Sequence, residues 1–481
     1  MRRILTIIAL LLVSQRLVAQ VQELERIVKT VQNESGMQHA QLSVCVYNTS
    51  NNRPVYNYNS QVSLTPASVQ KVLTTGAGFA RLGSDFRFVT RLATTGHIDH
   101  QGVLHGNVYI IGGGDPLLGS YRYRQTAPDS LFDGWYRALK RKGISSIEGR
   151  ICYLTSIFDD QPLHDTWQWG DVGNYYGAGV SGLNFHENMY FVYFTPGHKL
   201  GYPASVARLQ PRNIGVQSRC EVTTGPENSG DRVVIYGDPN SSERLYRGTV
   251  PLGKKDFAVR GAMPNPAQRC ADLFAAHLRS RGIQVAQSTM QVYSQPDSLH
   301  VLLDYYSSDY YTIAQYTNLT SNNVYAESIF KYLGYMRYGK GSFHNGSKAI
   351  MEWLREKRLE LSGIRVEDGS GLSRRNQVTA DFLCRYLSTM THESFFYDFQ
   401  RSLAVTGESG TAKSLLHALP PGMRVHIKTG SMEGVRSYAG YITAANGEKL
   451  AFAIICNGHE CTPAAINDKL NRILHTVASL F

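Results

Sequence analysis

After its first twenty residues the sequence has no apolar run long enough to cross a bilayer. No membrane-spanning helix is therefore expected in the mature chain. Dense runs of lysine and arginine are also missing, although the net charge is +11. Nucleic acid is thus not an expected partner. The basic excess points to an anionic polymer or surface, such as a cell wall, and allows loose association with a membrane face. No internal repeat or low-complexity tract is present. The seven cysteines are scattered, so this is no small disulfide scaffold. Cys456, His459 and Cys461 are three possible ligands close together, but no fourth ligand or second pair stands at the usual spacing. No metal is expected, and a local disulfide or free thiols both stay open.

The start of the chain is distinctive. Arg2 and Arg3 precede an apolar run from Ile4 to Val13, and small Ala19 follows. A charged start, a short apolar middle and a small-residue exit describe a signal peptide over 1–19. No cysteine follows the run, which argues against a lipoprotein. Export leaves a mature chain near Gln20, and losing Arg2, Arg3 and Arg16 takes the charge from +11 to +8.

"QLSVCVYN" (41–48) alternates Leu42, Val44 and Val46 with Ser43, Cys45 and Tyr47, the period of a half-buried strand. "NNRP" turns the chain, and "VYNYN" returns as a second strand. Thr65 as N-cap and Pro66 in the first turn predict a helix to Leu82, closed by Gly83. Between about 87 and 300 short segments and glycines prevail, with helices over 130–143 and 265–282. Helices then dominate, roughly 310–318, 323–336, 344–358 and 378–390. "MRVHIKTG", "SYAGYITA" and "KLAFAIICN" read as closing strands, with Asn446-Gly447 as a hairpin turn, before a last helix. Both ends should build one sandwich of sheet and helices, with the middle inserted.

Three short motifs carry chemistry. Ser68-Val69-Gln70-Lys71 puts a hydroxyl and an amine one helical turn apart. A serine is a poor nucleophile until a neighbour removes its proton, and a buried lysine among other cations can do so. Ser321-Asn322-Asn323 stands at the mouth of a helix, where Ser321 can relay a proton and Asn323 can hold a peptide group. Lys428-Thr429-Gly430-Ser431 lies on a strand. There Lys428 and Thr429 offer a cation and a hydroxyl to a carboxylate, and small Gly430 lets an extended peptide lie alongside. The Ser68 and Ser431 amides could stabilise an oxyanion. Each motif alone is more often a surface helix turn, a cap or a solvated turn; the three in this order are hard to attribute to chance.

The set resembles the serine penicillin-recognising enzymes. Ser68 and Ser321 are 253 positions apart, which requires an insertion between them. That spacing is similar to the class-C low-molecular-weight penicillin-binding proteins, the D-alanyl-D-alanine carboxypeptidase/endopeptidase family. "IIGGGDPLL", "WQWGD", "YGAGVSGLNFHEN", "EDGSGLSRRN" and "VTGESGTA" also match that family's habits. Asn322 departs from the frequent aspartate, with its side chain expected to point away from the substrate.

The resemblance implies an α+β, β-lactamase-like transpeptidase fold, an antiparallel sheet covered by helices. Residues 20–88 and 300–481 would form the catalytic domain, and 89–299 an inserted accessory region of one or two small α+β domains. It implies Ser68, Lys71 and Ser321 as catalytic residues, and Asn323, Lys428, Thr429, Gly430 and Ser431 as substrate-binding ones. Peptidoglycan stem peptides would be the substrate and β-lactam antibiotics inhibitors, in the periplasm, with no cofactor. Asp171 could meet the ammonium of a diamino acid or simply cap a turn. Asp115 and Asp368 read as turn aspartates, the latter in a loop lining the cleft, and Arg436 as a carboxylate helper or an exposed residue. The alternatives are a β-lactamase, for which no E-x-x-L-N-type segment is found, and a wall-binding module without catalysis.

Overall fold

The computed structural model describes residues 18–416, 419–445 and 447–480. Residues 1–17 of the expected signal peptide and Asn446 of the expected hairpin turn lie outside the described residues. The chain forms two compact units, residues 1–84, 314–321 and 348–481, and residues 85–313 and 322–347.

The first unit is built on a six-stranded antiparallel sheet. Its order is Ala404–Val405, Arg424–Met432, Val435–Thr443, Lys449–Asn457, Gln41–Asn48 and Arg53–Tyr58. Strands from both ends of the chain thus lie side by side, Gln41–Asn48 pairing Lys449–Asn457 along its full length. Leu42, Val44 and Val46 pack with Leu24, Val28 and Val31 of a helix over 18–32 and with Ile466, Leu470 and Leu474 of the helix Pro463–Ala478. The alternation had suggested a half-buried strand, but Ser43, Cys45 and Tyr47 are buried as well. The helix Ala380–Met390 covers their face. Tyr47 donates to Asp381 Oδ1 at 2.7 Å, and the Cys384 thiol donates to the Cys45 carbonyl at 3.2 Å. A sheet covered on both sides takes apolar and small residues at every position.

The helix after Pro66 opens differently from the sequence reading. A 3-10 turn spans Ala67–Gln70 and the α-helix runs Lys71–Leu82, with Gly83 ending it at a positive φ of 82°. Thr65 is not the cap. Its amide donates to Asn457 Oδ1 and its hydroxyl to the Arg374 carbonyl, so both groups are engaged elsewhere.

The second unit holds two three-stranded sheets, one four-stranded and one five-stranded. Their common core takes in the helices Pro128–Arg141 and Pro266–Ser280, whose Trp135 and Phe274 meet edge to face at 5.0 Å. The strand His300–Tyr306 pairs with Val89–Thr94, which places residues 300–313 with this unit. The helix Asn323–Tyr338 groups here too, tied by a bond from the Asn184 amide to Ser328 Oγ at 3.1 Å. All seven cysteines are free thiols. Cys456 faces Met37 and Cys461 faces the Ser35 carbonyl, so the two point to different neighbours. Among the described residues no helix is long and apolar enough to cross a membrane.

Candidate active site

The 3-10 turn and the helix after it put the Ser68 hydroxyl 2.9 Å from the fully buried Lys71 Nζ, which donates to it. Lys71 also donates to the Ser370 carbonyl at 2.7 Å. The sequence placed Ser370 only in a loop lining the cleft, without this contact. The loop is clasped from within by buried Asp368. Its carboxylate accepts from the Gly371 amide at 2.8 Å, the Ser373 amide at 2.6 Å and the Asn376 side chain at 2.8 Å. Asp368 is thus a turn residue, as expected, and its turn aims a carbonyl at Lys71. Gly371 has φ +84°, and a Cβ there would collide with the Ala67 carbonyl at 1.9 Å.

The strand Arg424–Met432 brings the third motif to the same place. A Cβ on Gly430 would lie 2.6 Å from the Pro66 carbonyl, 3.0 Å from the Ser68 amide and 2.3 Å from Ser437 Oγ. Only glycine lets the strand approach the nucleophile this closely. Ser437, on the next strand, donates to the Pro66 carbonyl at 2.5 Å and fixes the turn from below. Lys428 is buried and donates to Ser321 Oγ at 3.0 Å and to the Thr429 carbonyl at 2.7 Å. Burial, then the nearby Lys71 and Arg436 cations, push the Lys428 amine well below the usual lysine range. Thr429 donates to Thr411 Oγ1 at 2.7 Å. Thr411 sits in "VTGESGTA", where nothing in the sequence distinguishes it from its neighbours. Ser431 follows on the strand, opposite Arg436, whose guanidinium reaches the Tyr438 hydroxyl at 3.4 Å.

Ser68, Lys71, Ser321, Lys428, Thr429, Gly430 and Ser431 therefore share the first unit. Ser321 has φ +56°, a left-handed backbone that is costly for serine and is held here by its surroundings.

Asn322, Asn323 and Asp171 belong to the second unit. Asn322 caps the helix Asn323–Tyr338 by accepting from the Tyr325 amide, and its own amide donates to Glu187 at 3.2 Å. Asn323 donates to the Tyr176 carbonyl at 2.6 Å, and burial together with the nearby Asp171 carboxylate raises the Tyr176 phenol to about 12. Tyr176 is thus the common neighbour of two expected substrate residues 152 positions apart. Asp115 takes the Leu117 amide at 2.8 Å, a turn aspartate, and complete burial raises its carboxyl to about 7. Among the described residues no group of three or more His, Cys, Asp or Glu could hold a metal ion.

The missed residue of greatest consequence is Glu187. It is buried at φ +57°, and its carboxylate accepts from Ser120, Arg122, Tyr325 and Asn322. Glu187 lies within "YGAGVSGLNFHEN", a stretch that matched the family's habits but did not mark a buried anion.

Known proteins share this organisation. A D-alanyl-D-alanine carboxypeptidase of Actinomadura sp. strain R39 is 28% identical over 466 residues, covering 94% of this chain and 84% of that protein. The crystal structure of penicillin binding protein 4 (dacB) from Haemophilus influenzae superposes with a TM-score of 0.80 at 24% identity, covering 94% and 98% of the two chains. The same protein complexed with a β-lactam gives a TM-score of 0.76 at 23% identity, with the same coverage. These likenesses fix the fold as the α+β one that the motifs implied. A profile of the D-Ala-D-Ala carboxypeptidase 3 (S13) family matches residues 23–477, and the chain belongs to that family.

Proposed function

We propose that this protein is a serine D-alanyl-D-alanine carboxypeptidase that trims peptidoglycan stem peptides through an acyl-enzyme on Ser68. The observation that carries the reading is the pair of contacts in one unit, Lys71 to Ser68 at 2.9 Å and Lys428 to Ser321 at 3.0 Å. Lys71 accepts the Ser68 proton as Oγ attacks the carbonyl of the penultimate D-alanine. The Ser68 and Ser431 amides receive the oxyanion. Lys428 and Thr429 bind the terminal carboxylate, and Ser321 hands a proton to the leaving amine. The C–N bond breaks, D-alanine departs, and water hydrolyses the ester to restore Ser68. When the leaving amine belongs to a cross-linked neighbour, the same steps are an endopeptidase reaction.

Asn323 as holder of the substrate's peptide group and Asp171 as receiver of a diamino-acid ammonium belong to the same proposal. So do β-lactams as acylating inhibitors, the first unit as the catalytic part with the second as its accessory region, and delivery to the periplasm by a cleaved signal peptide. Fluorescent penicillin should label the wild type stoichiometrically and Ser68→Ala not at all. An unlabelled wild type would overturn the reading in favour of a wall-binding module. Released D-alanine from free and cross-linked muropeptides then separates carboxypeptidase from endopeptidase, and fast turnover of penicillin would identify a β-lactamase.

A further inference from the structure

Away from the Ser68 cluster, the second unit contains a cavity of about 320 Å³ that the reaction leaves unused. Its wall runs from the segment 153–162 across Gly179–Ser181 to the start of the helix Pro266–Ser280. The volume is that of a small-ligand site. The lining has a definite chemistry. Tyr153 and Tyr293 contribute rings, and Tyr293 is 74% exposed. Asn240, Gln268 and Gln291 contribute side-chain amides, each both donor and acceptor. Asp159 and Asp160 contribute carboxylates, and among the described residues no lysine or arginine lines the space.

This composition selects among ligands. An anion, including the carboxylate that ends a stem peptide, would meet the Asp160 carboxylate, and the Lys331 cation behind Asp159 is already paired with it. A cation is poorly matched as well, because the buried Lys331 amine already pairs with Asp159 at 2.7 Å. A neutral ligand with many hydroxyls and amides fits all the groups. Hydroxyls donate to Asp160, acetamido groups pair with the side-chain amides, and the apolar face of a sugar ring packs on a tyrosine. Met263, Pro162 and Val180 give the cavity an apolar floor for that ring or a methyl group.

We infer that this cavity is a saccharide-binding site for a neutral N-acetylhexosamine unit of a glycan strand. The inference rests on the proposed peptidoglycan substrate and deepens it. The second unit then holds the polymer by its sugar backbone while the first cuts its peptides, which raises the local concentration of stem peptides.

The test uses the full mature chain and N,N′-diacetylchitobiose as a neutral probe. Saturable binding by calorimetry or NMR is expected for the wild type, falling at least about tenfold in Tyr293→Ala, which removes the stacking ring, and in Asp160→Ala, which removes a charged acceptor. Both variants should keep wild-type penicillin labelling, which also shows that they are folded. They should release D-alanine normally from a sugar-free pentapeptide and more slowly from intact sacculi. Absence of saturable binding to the wild type overturns the site, as does binding that neither substitution weakens. Competition by a sugar-free stem peptide would assign the cavity to peptide and overturn the saccharide. Failure of the proposed function shows separately, as loss of penicillin labelling and D-alanine release in the wild type.

Discussion

Lys428 donates to Ser321 at 3.0 Å across 107 positions of sequence, and its amine is held well below the ordinary lysine range by burial and by Lys71 and Arg436. Two of the three motifs are joined by this bond. Its price is a stability that depends on pH. Unfolded, the Lys428 amine titrates near the ordinary value of about 10.4. Between the lower folded pKa and that value the unfolded chain binds more protons, so stability rises with pH, by up to about 1.4 kcal/mol per pH unit. Below the folded pKa this slope disappears.

Lys428→Met should remove the rise while costing little stability at neutral pH, because it deletes a buried amine along with its two hydrogen bonds. D-alanine release should fall about 10²–10⁴-fold. Urea midpoints of both proteins between pH 7 and 10 test the first part. Parallel slopes in the two proteins would refute it.

Gly430→Ala should separate the strand from the nucleophile. Its methyl would meet the Pro66 carbonyl at 2.6 Å and the Ser68 amide at 3.0 Å, both backbone atoms that cannot swing aside. Overpacking of this kind costs about 1–3 kcal/mol. Penicillin acylation should slow by at least about tenfold, as a displacement of one ångström at reacting groups can cost 10². A stopped-flow acylation rate equal to wild type would show that the strand can give way.

Much of this site was legible because its chemistry is local in sequence. Ser68 and Lys71 stand one turn apart, and Lys428 to Ser431 form one stretch of strand. Residues that meet only in the fold were not legible. Ser370 reaches Lys71 across 299 positions, and Glu187 reaches Asn322 across 135. Neither contact leaves a periodic trace. The strand Gln41–Asn48 misled for a related reason: alternation shows which residues are apolar, not that the polar face is covered by the helix Ala380–Met390. The helix start misled because Thr65 and Pro66 satisfy a capping rule whose groups Asn457 and Arg374 claim first.

Asp368→Ala should uncouple the loop from Lys71. The carboxylate holds two amides and the Asn376 side chain, all buried, and hydrogen bonds to a charged group are worth about 1.5–3 kcal/mol each. A loss of roughly 3 kcal/mol in stability is expected. Acylation should slow although Ser68 and Lys71 are intact, because the Ser370 carbonyl no longer has a fixed place. Melting temperature and acylation rate measured together check this, and a stable variant with a normal rate would dismiss the clasp.

Glu187 offers the sharpest separation of structure from chemistry. Arg122 meets its carboxylate with two bonds, 2.6 and 3.0 Å, while Ser120, Tyr325 and Asn322 supply three neutral donors. Glu187→Gln keeps the shape but leaves the Arg122 guanidinium facing an amide, a loss of about 3–5 kcal/mol for a broken buried pair. Arg122→Met alone leaves the carboxylate with three donors and should cost less. In the double variant no buried charge is stranded, so it should be more stable than Glu187→Gln alone by about 1–3 kcal/mol. Asn322 follows Ser321 directly, so slackening its tether in Glu187→Gln should also lower kcat about tenfold. The double variant regains stability without regaining the anion that Asn322 bonds, and its kcat should stay low. If kcat recovers together with stability in the double variant, Glu187 contributes only to folding.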